Sequence, residues 1–557
     1  MQPFSIYFEP DGYQLTPSRI MGRHSAGAGF LRAAVNNAVT ENQSLVACVA
    51  NQSAARQFAA QTRGISEQVK AEVEPVEALV QPDRHRGLYV PGPGLSHFAS
   101  IRYRGRVNSF SMVGVTHTIA SHAAMTSITE LIGSSIMPWD ALICTSTAVQ
   151  KAVQELLQQK LDFLQWRLKL AEPPVLPRFP VIPLGVHTSD YVFSDDVKRA
   201  ARKRFKLKTD EIAVLFFGRM SFHAKAHPYP MYVGAEQVAR ATGKKIVLIM
   251  CGLFPNDAIR DAFVQGAASF FPSGRTEFID GSDDGWSKAS WAAADIFVSL
   301  SDNIQESFGL TPLEAMAAGL PVIVTDWDGY RDTVRDEVDG YRVPVNDGMA
   351  AIGEVVAHKY EVGSVSYDTY CGLTCMMIAP DMVEFKRRLQ QLVEDSALRA
   401  ALGNGGREHV STTLDWRLIY QRYKNLFAEL DEIRTGQGAA WESKRRRRSL
   451  GSPDRLAPNK LFAEFSTHAI SLEDVLVVVE DGQSALKDRY QALAQNPMFS
   501  FAKAILPSTK TVEIIGSCSG KTMQAIATDS KLSPAQVAAT AAILLKMGLV
   551  QLVTASR

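Results

Sequence analysis

The chain has 557 residues, 46% of them hydrophobic and 21% charged, which is enough for about three globular domains. Its 59 Lys and Arg residues nearly balance its 58 Asp and Glu residues, and the net charge of +1 argues against nucleic acid or an anionic membrane as the main partner. No apolar run is long enough for a transmembrane helix, and the N-terminus lacks the apolar core of a signal peptide. We therefore expect a cytoplasmic protein with structural or free thiols, and leave open a peripheral position at the inner face of the membrane.

Short apolar strands alternate with helical stretches from residue 1 to about residue 185. The predicted strands include Ser44–Ala50, Gly87–Val90, Ser111–Val115 and Ala141–Thr145, and residues 180–185 predict another strand that ends in a turn. Such alternation is typical of a parallel sheet with helices on both faces. We predict a Rossmann-like domain over residues 1–185.

The same alternation resumes over residues 186–435. Its predicted buried strands include Ile212–Phe217, Lys245–Cys251, Asp295–Leu300 and Val322–Thr325. Two halves of similar size predict an α/β fold of two doubly wound parallel-sheet domains that face a crevice. A ligand of such a fold binds at the carboxyl ends of the strands.

The C-terminal part of the chain has a different composition. Asp415–Ile433 predicts an amphipathic helix, residues 436–460 a linker with the basic run 444–448, and residues 461–557 a small, mostly helical module. Ser533 and Pro534 predict the start of a helix that ends before Gly548, in a winged-helix-like pattern. That helix is almost uncharged, so a dimerisation or protein-partner role is favoured over DNA binding.

The most informative segment for function runs from Asn303 to Asp328. Glu306 and Glu314 flank a Phe-Gly-Leu turn, and Thr311 with Glu314 has the spacing of a capping box at a helix N-terminus. Free backbone N–H groups and the helix dipole make such an end suitable for anions. A ligand that carries both phosphates and hydroxyls fits this set, although Glu314 could also serve only as a capping residue.

Two cations follow a predicted strand of the second half. Gly218 and Arg219 follow the predicted strand that ends at Phe217, and Lys225 lies six residues after Arg219. Cations at the end of a parallel strand are placed to neutralise a diphosphate. The alternative interpretation is a pair of ordinary surface charges.

Three residues of the first half are weaker candidates. Gly27 and Gly29 precede an apolar stretch that starts at Phe30, which predicts a glycine-rich turn that lets backbone approach a phosphate. His117 follows the strand Ser111–Val115 and could contact a ligand in the crevice, although a lone histidine is more often simply hydrogen-bonded.

Three further patterns are rejected as ligand sites, and no metal site is predicted. Asp326 and Asp328 have the Asp-x-Asp form but also suit a turn before Gly329. His223 and His227 have zinc-like spacing without the accompanying Glu and with Pro228 next to them. Residues 516–522 follow the strand-like segment Val512–Ile515 and are one residue short of a phosphate-binding P-loop.

Over about residues 1–435 the chain resembles the family 4 retaining glycosyltransferases of GT-B fold. The resemblance is strongest in Glu306-Ser-Phe-Gly-Leu-Thr-Pro-Leu-Glu314, which is similar to the family's motif of two glutamates separated by seven residues. The chain departs from the family in the sequence 328–332 and in a segment near 358–377 that looks inserted.

The resemblance implies a role for each matching residue. Glu306 would bind donor-sugar hydroxyls, Glu314 the ribose, and Arg219 with Lys225 the diphosphate leaving group. The backbone amides of Phe308, Gly309 and Leu310 would hold phosphate, His117 would face the sugar, and Gly27 with Gly29 would form the glycine-rich loop. The helix predicted at 415–433 would cross back onto the first domain.

The function implied by the resemblance is transfer of a sugar with retention, without a metal or cofactor. The donor would be a nucleotide sugar, and the acceptor an unknown molecule of the lipid-linked or polysaccharide class. Two alternatives stay open at this stage. One is another enzyme on the same fold, a sugar phosphorylase or an epimerase, and the other is a non-catalytic scaffold with a C-terminal interaction or regulatory module.

Overall fold

A computed structural model describes residues 3–14, 22–81, 85–170, 172–444, 455–479 and 483–553. They form two compact units, Met1–Pro453 and Asp454–Arg557. The predicted fold class is confirmed, because the larger unit holds two parallel sheets with flanking helices and the smaller unit is mostly helical. None of the helices described is long and apolar enough to cross a bilayer.

The first domain is built on a six-stranded parallel sheet with the order β3-β2-β1-β4-β5-β6. Its strands are β1 (Ser5–Tyr7), β2 (Ser44–Val49), β3 (Lys70–Pro75), β4 (Gly87–Tyr89), β5 (Ser111–Val115) and β6 (Ala141–Ile143), and its helices are α1 (Gly22–Thr40), α2 (Gln52–Ile65), α3 (Leu95–Arg104), α4 (His122–Thr129) and α5 (Thr147–Leu168). The strand predicted at 180–185 forms only isolated bridges, such as Val181 with Cys144, because its prolines cannot donate to a ladder.

The second domain repeats this arrangement in a parallel sheet with the order β12-β11-β10-β7-β8-β9. Its helices up to residue 333 are α6 (Asp195–Arg204), α7 (Tyr229–Thr242), α8 (Asp257–Phe270), α9 (Asp284–Ala293), α10 (Leu310–Ala318) and α11 (Tyr330–Thr333), and its strands are β7 (Glu211–Phe217), β8 (Lys245–Gly252), β9 (Arg275–Asp280), β10 (Ile296–Ser299), β11 (Val322–Thr325) and β12 (Gly340–Val343). In each sheet the strand order reverses beside the first strand. This is the point where open α/β sheets bind ligands.

The chain then leaves the second sheet. A two-stranded antiparallel ribbon and five helices follow: β13 (Val345–Asp347), α12 (Gly353–Glu361), α13 (Tyr367–Cys375), β14 (Ile378–Pro380), α14 (Met382–Glu394), α15 (Ser396–Thr413) and α16 (Trp416–Lys444). Helices α12 and α13, which we name the α12–α13 hairpin, occupy most of the segment that looked inserted in the sequence.

Helix α16 packs on the first domain. The ring of Phe427 stacks on Phe4 at 4.1 Å, and Arg434 donates to the carbonyl of Asn108 at 2.8 Å. The predicted linker is wrong over residues 436–444, which continue this helix, because Trp441 and Glu442 still contact the first domain. The basic run 444–448 lies outside the described residues beyond its first lysine.

The predicted glycine-rich turn is also wrong, because Gly27 and Gly29 lie inside helix α1. Both glycines allow close packing. A Cβ on Gly27 would lie 1.9 Å from the carbonyl oxygen of Gly12, and one on Gly29 would lie 2.4 Å from the indole nitrogen of Trp416. These two positions therefore bring α1 close to neighbouring backbone and to the first residue of α16.

The smaller unit contains a three-stranded antiparallel sheet with the order β16-β15-β17. Its elements are α17 (Pro458–Leu461), β15 (Val475–Val478), α18 (Gln483–Gln495), α19 (Pro497–Ser500), α20 (Thr509–Gly516), β16 (Lys521–Thr522), α21 (Met523–Ser530), α22 (Pro534–Lys546) and β17 (Val550–Val553). The strand predicted at Val512–Ile515 is wrong. These residues belong to α20, where Val512 and Ile515 face the core one turn apart behind the cap of Ser508.

The predicted cap of the last helix is confirmed. Ser533 accepts from the amide of Gln536 in a complete capping box, Pro534 is the first helical residue, and Gly548 has a φ of +70°. The winged-helix pattern itself stays a prediction.

We expect Gly29→Ala to lower the stability of the larger unit by about 1–3 kcal/mol, because the new methyl group collides with Trp416. Gly64→Ala is the matched control, since Gly64 is also helical but has open space around it. The control should leave the melting temperature unchanged or raise it slightly, because alanine favours a helix over glycine. Equal melting temperatures for Gly29→Ala and the wild type would contradict the close packing of α1 on α16.

Candidate functional site

A cavity of about 290 Å³ lies in the larger unit, where loops of the two domains meet. The first domain contributes the start of α1 and the loops that follow β5 and β6. The second domain contributes the loops after β7 and β10 and the start of α10. These loops follow the carboxyl ends of parallel strands, as the fold predicts for a ligand site.

An ion pair between Lys225 and Glu306 lies on the wall of this cavity, with side chains 17% and 12% exposed. Burial alone would raise the pKa of Glu306, but the charge of Lys225 and the amides of Phe308 and Ser307 lower it below its ordinary value. The same pair raises the pKa of Lys225 in spite of its burial. The Glu306 carboxylate therefore fills an anion site made of one ammonium and two backbone N–H groups.

The predicted phosphate-binding turn leads directly into helix α10. The helix begins at Leu310 after Gly309, whose φ of +84° suits glycine, and a Cβ there would lie 2.0 Å from the ring of Tyr330. The predicted capping box is wrong, because the N-cap is Gly309 rather than Thr311 and carries no side-chain cap. The earlier start leaves the Thr311 hydroxyl inside the first turn, without a hydrogen-bond partner in the described structure.

Glu314 has no capping role and is part of the cavity wall. Burial raises its pKa to about 7, although a hydrogen bond with Tyr191 and the charge of Lys225 act in the opposite direction. Tyr191 belongs to the segment that connects the two domains. The carboxyl group can therefore change its protonation state near neutral pH. In its ionised form it can accept hydrogen bonds from ligand hydroxyls.

The guanidinium of Arg219 also lies on the cavity wall. One of its nitrogens donates to the carbonyl oxygen of Ala224 at 3.2 Å and to the side-chain oxygen of Gln305 at 3.3 Å. Gly218, with a φ of +150°, lets the chain turn here and lies against the side chain of Lys225. The turn after β7 thus brings both predicted cations to one cavity.

His117 reaches the same cavity from the loop after β5. Its Nε2 lies 3.3 Å from the carbonyl oxygen of Pro91, which can only accept, so this nitrogen carries the proton. Burial lowers the pKa of His117 to about 4, and the ring is therefore neutral near pH 7. Its Nδ1 is left as an acceptor of hydrogen bonds.

The structure brings eight of the ten predicted site residues to one cavity: His117, Arg219, Lys225, Glu306, Phe308, Gly309, Leu310 and Glu314. Gly27 and Gly29 are not among its described lining residues. Arg23, Thr145 and Gln305 also line the cavity and were not predicted from the sequence. Thr145 ends a predicted strand and could have been found from the rule on strand ends, whereas Arg23 and Gln305 carry no signal of their own.

Hydrogen bonds join the two domains beside the cavity. Ser146, at the start of α5, donates to a carboxylate oxygen of Asp328 at 2.8 Å, and Thr145 donates to the carbonyl oxygen of Ser307 at 3.2 Å. Asp328 has a φ of +41°, uncommon for a residue with a side chain. Its carboxyl group thus forms a contact between the two domains.

Residues 197–357 match the family model of glycosyl transferases, group 1. A D-inositol 3-phosphate glycosyltransferase of Nocardia farcinica is 30% identical over 168 residues, which cover 30% of this chain and 36% of that protein. A phosphatidyl-myo-inositol mannosyltransferase of Mycobacterium leprae is 40% identical over 81 residues, which cover 14% and 21%. The matched part of the chain thus spans about a fifth to a third of these two relatives.

A solved structure supports the fold. The crystal structure of Anabaena HepE in complex with UDP and glucose matches 76% of this chain and 100% of its own, with a TM-score of 0.51 and 16% identity. At this identity the match concerns the fold alone, and it agrees with the two-domain GT-B class predicted from the sequence.

The raised pKa of Glu314 predicts how stability depends on pH. Between about 4.5, its ordinary value, and about 7, the folded chain holds a proton that the unfolded chain has released. The free energy of unfolding therefore falls as the pH rises through this window. Glu314→Gln removes this contribution, and we expect a smaller loss of melting temperature between about pH 5 and about pH 8 than in the wild type.

The control is Glu394→Gln, a change of the same kind on the exposed face of α14. It should keep the pH dependence of the wild type. If Glu314→Gln also kept that dependence, Glu314 would not be the buried, protonated carboxyl group described above.

Proposed function

We propose that this chain, in which residues 197–357 match the model of the group 1 glycosyl transferases, moves a sugar from a nucleotide-sugar donor to an acceptor. The observation that carries the proposal is the meeting of Arg219, Lys225 and Glu306 in one cavity between two doubly wound domains. Two cations suit the diphosphate of such a donor, and a carboxylate suits the hydroxyls of its sugar.

Different residues of the cavity would contact the ribose, the diphosphate and the sugar of such a donor. Glu314, on the first turn after the start of α10, would accept from the ribose hydroxyls. Arg219 and Lys225 would neutralise the departing diphosphate, and Glu306 would orient the sugar. Neutral His117 would accept a hydrogen bond from a sugar hydroxyl on the side of the first domain.

Retention of the anomeric configuration and independence of metal ions are further parts of the proposal. Positioned cations can stabilise the charge that develops on the leaving group without a metal. Bringing donor and acceptor together in one crevice supplies a second part of the rate acceleration. Retention rests on the family resemblance of the motif from Glu306 to Glu314.

The acceptor is proposed as a hydroxyl-bearing molecule of glycoconjugate, glycolipid or polysaccharide synthesis. The names of two relatives describe inositol phosphate and phosphatidylinositol compounds. These two compound classes are therefore the first acceptors to test, together with a panel of UDP, GDP and ADP sugars as donors.

We expect Glu306→Gln to lower sugar transfer by roughly tenfold to a hundredfold, because a positioned charge in the site is lost while the shape is kept. Release of the nucleoside diphosphate measures the reaction, and Glu394→Gln on the exposed face of α14 is the control with full activity. Absence of nucleotide release by the wild type with every donor, with and without acceptors, would contradict the proposed function.

Excess EDTA should leave the rate of nucleotide release unchanged, because Arg219 and Lys225 supply the positive charge. The control is the same assay after dialysis and addition of Mg²⁺ or Mn²⁺, which should not raise the rate. Loss of activity with EDTA and its recovery with one of these ions would contradict metal independence while leaving sugar transfer intact.

A further inference from the structure

The α12–α13 hairpin lies beside the cavity, yet most of it falls outside the family match, which ends at residue 357. Its helix α13 packs against the loop that carries the two cations. The thiol of Cys375 lies 3.4 Å from the carbonyl oxygen of Phe222, to which it donates. A Cβ on Gly372 would lie 3.0 Å from the Cβ of His223, so the helix approaches this loop closely.

A chain of polar contacts leads from this hairpin to the cation Arg219. The side-chain nitrogen of Gln305 donates to the sulfur of Cys371 at 3.3 Å. The oxygen of the same amide accepts from Arg219 at 3.3 Å. Gln305 therefore holds the guanidinium with one end of its amide group and the hairpin with the other.

The hairpin also reaches the first domain. The hydroxyl of Tyr367, which hydrogen-bonds with the Cys371 thiol, lies 3.5 Å from the hydroxyl of Thr118 on the opposite cavity wall. The ring of Tyr360 stacks on His122 at 3.7 Å, and its hydroxyl accepts from the His122 amide at 3.4 Å. The hairpin is thus tied to both domains around the same cavity.

We propose that Gln305 and Cys371 are positioning residues that hold the Arg219 guanidinium at the diphosphate end of the cavity, which makes the α12–α13 hairpin a part of the donor site. This inference rests on the proposed function, because it needs a ligand with a diphosphate. It extends that function to a segment outside the family match and to two residues that the sequence did not single out.

The hydrogen bond to Gln305 orients the Arg219 side chain before a ligand binds. A long arginine side chain loses rotamer freedom when it binds a ligand, and a hydrogen bond that already fixes it reduces this cost. Cys371 is fully buried and does not line the cavity, so it can act on a ligand only through its neighbours. Burial also raises the pKa of its thiol, which stays neutral and can accept from Gln305.

The test measures binding of UDP, GDP and ADP, and of the matching monophosphates, to the full chain by calorimetry. Gln305→Ala removes both contacts of the amide, and Cys371→Val removes the acceptor while keeping a similar volume. Each should weaken diphosphate binding about fivefold, the size of one neutral hydrogen bond, and leave monophosphate binding unchanged. Cys371→Ser keeps an acceptor and should restore most of the affinity.

Arg219→Ala separates this inference from the proposed function. It should weaken diphosphate binding by itself, and adding Gln305→Ala to it should cost nothing further, because the guanidinium to be held is gone. Additive losses, or equal losses for monophosphates and diphosphates, would overturn the positioning role. This double variant also decides the matter if Cys371→Val does not fold, as judged from its melting temperature.

Failure of the positioning role and failure of the proposed function give different binding results. If Arg219→Ala weakens binding while Gln305→Ala and Cys371→Val bind as the wild type does, the positioning role is wrong and the proposed function stands. If the wild type binds none of the three diphosphates, the proposed function fails and the positioning role fails with it.

Discussion

The site depends on one constraint: the Glu306 carboxylate occupies a pocket of positive charge that would otherwise be empty. Lys225 and the amides of Ser307 and Phe308 surround it. Leaving a buried ammonium unpaired is costly, so the carboxylate stabilises the free protein. Under the proposed function, a diphosphate that enters the cavity would compete for the same ammonium and would release Glu306 toward the sugar.

The charged groups of the cavity are brought together by a fold in which two similar sheets follow one another. Both sheets have the same strand order, and in each the chain reverses beside the first strand. In the second domain this reversal places the turn after β7, with Gly218, next to the loop after β10, which carries Glu306. Ser146 and Asp328 then hold the first domain against this edge. The cations, the carboxylates and His117 meet because the carboxyl ends of the parallel strands of both sheets face the same cavity.

The sequence predicted these elements well where a pattern reflects local physics, as in the buried strands Ser111–Val115 and Val322–Thr325, which the structure reproduces. It failed where tertiary packing overrides local signals. Gly27 and Gly29 suggested a turn but allow close helix packing, against Gly12 and Trp416 respectively. Thr311 suggested a cap but lies two residues after the actual N-cap, Gly309. Gln305 and Cys371 could not be predicted, because their contacts join segments that are distant in the sequence.

Calorimetric binding of a nucleoside diphosphate to Glu306→Gln tests the central claim most directly. If Glu306 fills the anion site of the free protein, removing its charge should free Lys225 and strengthen diphosphate binding several-fold, on the order of the 1 kcal/mol or more expected for a partly buried charge. Lys225→Met should weaken binding in the same assay. Weaker diphosphate binding by Glu306→Gln would contradict the account, because the carboxylate would then support the diphosphate rather than stand in its place.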